Sequence, residues 1–140
     1  MTPGDNNATR FPVSIKGVIV HDGRVVLLKN ERQEWELPGG KLELGESPTA
    51  CLAREIAEEL NLTAEIADIL DSWVYAIAPG VDVLIVTYGC RVSGLGGMTI
   101  SHEHKELATF ALHDVAGLNM PPGYKASIHT WAARLAKETA

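Results

Sequence analysis

Strand-like runs at both ends of a helical segment, with further helical patterns after them, predict an α/β (α+β) fold: a mixed sheet packed between helices. Three observations carry this. Two β-branched runs flank a two-residue turn near the N-terminus. A helix with its own start and stop signals follows. The last residues repeat apolar side chains at helical spacing. With 46% apolar residues in 140, the chain can fill one core.

Residues 1–12 are polar and read as a flexible arm, leaving 13–140 as a single domain. Val13 to His21 reads as a strand, Asp22-Gly23 as a hairpin turn, and Arg24 to Lys29 as the returning strand. Trp35 to Gly40 contains Pro38, Gly39 and Gly40, which predict a shaped loop without regular structure. Ser47-Pro48 is a helix start, and Asn61 suits the left-handed residue that stops a helix after Leu60. Thr63 to Ala78 is strand-like with an interruption at Asp71-Ser72, and Pro79-Gly80 turns it into a strand over Val81 to Val92. A short strand over Glu106 to Leu112, a short helix over His113 to Leu118 and a helix over Ala126 to Lys137 complete the order.

The net charge of −6 disfavours a nucleic-acid polymer as partner, because an acidic surface repels a phosphate backbone. It permits a small phosphate ligand, since a bound cation reverses the local sign. Cys51 and Cys90 form no C-x-x-C pair, which fits a reducing compartment. No signal peptide or membrane-spanning run is evident, so the expectation is a cytoplasmic protein without a membrane partner.

The chemistry concentrates between Gly40 and Leu62. Glu55, Glu58 and Glu59 stand at i, i+3 and i+4, so one helical face carries all three carboxylates. Leu52, Ile56 and Leu60 form the neighbouring apolar stripe. Like charges at i, i+4 cost a helix about 0.2–0.5 kcal/mol per pair. A hard divalent cation would offset that, because Mg²⁺ takes carboxylate and phosphate oxygens. Taken alone, a Glu-rich face is most often solvated surface; the fixed spacing to other residues is what singles this one out.

That spacing resembles the Nudix box. Gly40 is followed after five residues by Glu46, and after seven more by Arg54, Glu55, Ile56, Glu58, Glu59 and Leu62; Asn61 stands where the family has glycine. The resemblance implies an α/β/α sandwich and a hydrolase that splits a diphosphate linkage in a small nucleotide, with Mg²⁺, or Mn²⁺, as cofactor. Its substrate would be a nucleoside triphosphate or a nucleoside diphosphate joined to another group, such as ADP-ribose. It implies Glu58 and Glu59 as metal ligands, Glu55 as ligand or general base, the Gly40 carbonyl as a further ligand, and Glu46 and Arg54 as supports. Some members take the base from a later loop, which makes Glu103, in Ser101-His102-Glu103-His104-Lys105-Glu106, a second candidate. Relatives commonly form homodimers, but no segment here marks an interface. The alternative is a catalytically silent Nudix fold kept as a nucleotide sensor.

Trp35, Trp73 and Tyr75 read as packing residues that could also line a pocket. Cys51 reads as a packing residue, and Lys29 and Arg32 as surface cations within possible reach of phosphate.

Overall fold

The computed structural model describes residues 10–100 and 106–139. Its strands are β1 (Val13–His21), β2 (Arg24–Lys29), β3 (Trp35–Glu36), β4 (Gly39–Lys41), β5 (Glu65–Ala78), β6 (Val81–Arg91) and β7 (Glu106–Ala111). The helices are α1 (Pro48–Leu60) and α2 (Pro122–Glu138), with a 3-10 turn over Leu112–Gly117. The strands join in the order β3-β2-β1-β6-β5, with β4 also on β1 and β7 also on β2. β1 and β6 run parallel and the other pairs antiparallel, so the sheet is mixed as expected. No helix among the described residues is long and apolar enough to cross a membrane.

β1 divides the core in two. Ile15 and Ile19 pack on the α1 side with Leu52, Ile56 and Leu60. Val18 packs on the other side with Ile85, Ile128 and Trp131 under α2. Successive side chains on a strand alternate between faces, so odd residues of β1 serve one helix and even residues the other.

Three readings from the sequence need correction. The stretch Trp35 to Gly40 is not free of regular structure: β3 pairs with β2, and β4 pairs with β1. Pro38 interrupts only the join, and its carbonyl accepts the Gly17 N–H at 2.9 Å. The interruption at Asp71-Ser72 is not a break but irregular register in one long strand, with shifts between Ile66, Ile69 and Asp71. The last helix begins four residues early, with Pro122 in its first turn, where a missing N–H costs nothing.

Candidate active site

Helix α1 is placed by its ends. The Ser47 hydroxyl accepts the Ala50 N–H at 3.2 Å, and Pro48 opens the first turn. Asn61 adopts the left-handed conformation (φ 55°), and its N–H returns to the Ala57 carbonyl at 3.0 Å. Asparagine therefore does what glycine does at this position, and its Nδ2 also donates to the Gly97 carbonyl at 3.2 Å.

Burying Leu52, Ile56 and Leu60 fixes the rotation of α1 and brings its acidic face against β4. Glu59 is not surface: it is 4% exposed, and its Oε1 accepts the Gly39 N–H at 2.8 Å. Gly39 has φ 145°, and a Cβ there would overlap the Ile15 carbonyl of β1. A Cβ on Gly40 would overlap the Glu55 carboxylate. The two glycines thus let the loop close onto both β1 and α1.

Arg54 organises the remaining acids. Its Nε and Nη2 donate to the two oxygens of Glu46 at 3.1 and 2.9 Å, a two-pronged pair. Its Nη1 donates to Glu55 at 3.0 Å and to Glu58 at 3.2 Å, and Glu43 lies 3.8 Å from Nη2. Glu46 also accepts the Glu43 N–H at 3.0 Å. The guanidinium first, and that backbone bond second, hold the Glu46 carboxyl at about 2, well below its ordinary 4.5. Arg54 is correspondingly held charged by Glu46.

A carboxyl depressed in the folded state stabilises it above the ordinary value, and that contribution is lost as pH falls towards the folded one. Between pH 5 and 2.5, in chelator, the wild type is therefore expected to lose more of its melting temperature than Glu46→Gln. Parallel curves would contradict the pairing.

Glu46, Arg54, Glu55, Glu58, Glu59 and Gly40 thus converge where loop and helix meet. Glu103 lies outside the described residues, as do His102 and His104. Cys51 is buried beneath the loop, its Sγ 3.5 Å from the Lys41 carbonyl; burial, then the Glu46 charge, pushes its thiol up to about 12. That suits a packing residue. Lys29 pairs with Glu106 and Arg32 with Glu31 and Glu34. Trp35 meets Phe110 edge to face.

As the side chains stand, no three His, Cys, Asp or Glu residues among those described are gathered to hold an ion. The reason is visible in the bonds above: Glu55 and Glu58 turn to Arg54, and Glu59 to Gly39. The donor set, three carboxylates beside a peptide carbonyl, is still that of a hard cation such as Mg²⁺.

On the α2 side a cavity of about 540 Å³ opens between β5, the loop before β3 and the start of α2. Trp73 and Tyr75 form its wall, and Glu34, Asp71 and Asn119 bring polar groups to it. The Tyr75 hydroxyl donates to Glu34 at 3.2 Å. Trp73 packs edge to face on Tyr124, so the packing and pocket readings are both met. Glu34, Asp71 and Asn119 did not stand out in the sequence; only folding brings these distant positions together.

The NUDIX domain model matches residues 11–131. A putative 8-oxo-dGTP diphosphatase 2 of Mycobacterium tuberculosis is 35% identical over 126 residues, covering 83% of this chain and 86% of that protein. A CTP pyrophosphohydrolase of Escherichia coli is 29% identical over 98 residues, covering 66% and 70%. The crystal structure of a MutT NUDIX hydrolase from Burkholderia pseudomallei superposes with a TM-score of 0.74 at 28% identity, covering 86% of this chain and 98% of that one. The agreement runs through the strands, the glycine loop and both helices, and not the box alone: the chain belongs to the Nudix hydrolase family.

Proposed function

We propose that this protein hydrolyses a diphosphate linkage of a nucleoside triphosphate by attack of water at phosphorus, with Mg²⁺ or Mn²⁺ as cofactor. The observation that carries the proposal is the approach of Glu55 and Glu59 to the Gly39-Gly40 loop, with Glu58 held beside them on α1 by Arg54. Glu58, Glu59 and the Gly40 carbonyl would hold the metal, joined by Glu55 where Glu103 serves as the base. When bound, the cation would neutralise phosphate charge and lower the pKa of water.

The chain's own groups supply the rest. Arg54 and Glu46 fix the orientation of α1's acids before substrate arrives. Glu55 would accept the water's proton, with Glu103 as the second candidate. Substitution of each by Gln, compared by the pH dependence of kcat, separates the two. The base would enter the cavity walled by Trp73 and Tyr75, whose size suits a small ligand. The names of two relatives, a putative 8-oxo-dGTP diphosphatase and a CTP pyrophosphohydrolase, support a triphosphate.

A panel of ordinary and oxidised nucleoside triphosphates, ADP-ribose and dinucleoside polyphosphates tests this in ¹⁸O-water. Turnover with Mg²⁺ or Mn²⁺, abolished by chelator, is the expected outcome. Label in the product identifies the phosphorus attacked. Nucleotide binding without turnover of any compound would overturn the reading in favour of a sensor.

A further inference from the structure

Connecting loops are ordinarily the most mobile part of a binding site, yet the loop between β2 and β3 is tied down from inside and from outside. Asn30, 4% exposed, closes it from within. Its Oδ1 accepts the N–H groups of Arg32 at 2.9 Å and of Glu34 at 3.1 Å, and its carbonyl accepts that of Gln33 at 3.1 Å. Gln33 stands in the left-handed region at φ 64°, which a residue with a Cβ keeps only where its neighbours hold it there.

Two distant residues supply that hold. Asn119, just before α2, donates from Nδ2 to the Gln33 carbonyl at 2.9 Å, and its own carbonyl accepts the Trp35 N–H at 2.9 Å. Tyr75 of β5 donates its hydroxyl to the Glu34 carboxylate at 3.2 Å, to which Arg32 Nε also donates at 3.2 Å. Glu34, Tyr75 and Asn119 all line the cavity, so the ties run along its wall. Asn30 Nδ2 further donates to Glu36 of β3 at 3.2 Å, and β3 leads directly into the Gly39-Gly40 loop.

We propose that Tyr75 and Asn119 are positioning residues, which hold loop 30–34 in its binding shape before any ligand enters the cavity. The role rests on the cavity being the nucleoside site, whatever base it takes. A loop that must be ordered on binding subtracts its ordering entropy from the affinity, and one ordered beforehand does not. Each tie can be cut with little else disturbed. Tyr75→Phe keeps the aromatic ring of the wall, and Asn119→Ala keeps the backbone bond to Trp35. What is lost is the hold on Glu34 in the first variant and on the left-handed Gln33 in the second.

The test combines amide hydrogen exchange with calorimetric binding of dGMP and dCMP, which lack a diphosphate and stay intact. In Tyr75→Phe and Asn119→Ala the amides of residues 32–35 are expected to exchange roughly tenfold faster than in wild type. Affinity for the monophosphate that wild type binds better should fall by about 3- to 10-fold. Ligand should then slow exchange of the loop strongly in the variants and little in wild type. Faster exchange with unchanged affinity would make the ties structural only and overturn the proposal. Weaker binding with unchanged exchange would overturn it too, because Tyr75 or Asn119 would then act by touching ligand directly. Either variant decides alone should the other fail to fold. Wild type that binds neither monophosphate removes the cavity reading, and the proposal with it. Turnover of the triphosphates is measured separately: the expected exchange and affinity changes without turnover would keep the positioning role and reject the hydrolase reading.

Discussion

Replacing Glu58 with Gln is expected to lower kcat by at least about 100-fold while moving the melting temperature by no more than about 2 °C. The two effects separate because of where Glu58 sits. Its side chain is 60% exposed, and its recorded bond is to Arg54 one turn earlier at 3.2 Å. An exposed i, i+4 pair contributes a few tenths of a kcal/mol, so losing it leaves the fold intact. Loss of a ligand to a cation that stabilises phosphate charge removes several kcal/mol from the transition state. Glu59 offers a less clean experiment. It is buried and holds the Gly39 N–H, so Glu59→Gln places an amide donor where a carboxylate was. Steady-state kinetics and thermal unfolding of Glu58→Gln, side by side, decide the matter. Full activity, or activity and folding lost together, would remove Glu58 from the metal set.

Gly39→Ala should be the most damaging single methyl group in the molecule. The residue occupies φ 145°, and the added Cβ would overlap the Ile15 carbonyl, which is rigid backbone in the central strand. Strain of this kind costs about 1–3 kcal/mol, and displacing β4 from β1 adds to it. A fall in melting temperature of roughly 10 °C is expected, with activity lost because the Gly39 N–H no longer meets Glu59. Gly45→Ala is the matched control. It also has positive φ (85°), but a Cβ there meets nothing within 4 Å, so it should cost only about 1 kcal/mol. Equal destabilisation by the two substitutions would show that backbone strain alone, and not the close approach to Ile15, governs Gly39.

These two cases mark what the sequence makes legible. Helix α1 was readable from end to end because its signals are local: Ser47 and Pro48 at one end, Asn61 at the other, and a period that separates Leu52, Ile56 and Leu60 from the acids. The β1–β2 hairpin was readable for the same reason. The strand character of Gly39–Lys41 was not, because it comes from pairing with Ser14 to Lys16 of β1, far back in the chain, while the local residues resemble a loop. Burial of Glu59 was equally hidden: it shares a helical face with exposed Glu58, and only the approach of Gly39 distinguishes them.

The two-sidedness of β1 has a consequence for how such a protein can change through time. Odd positions of the strand support the helix that carries the carboxylates, and even positions pack on the side of the second helix, where the aromatic cavity opens. A substitution at an even position can alter what is admitted without disturbing the apparatus beneath it. One at an odd position does the reverse. One strand thereby gives inheritance two nearly independent dials, so a lineage can acquire a new substrate while its hydrolytic chemistry stays as it was.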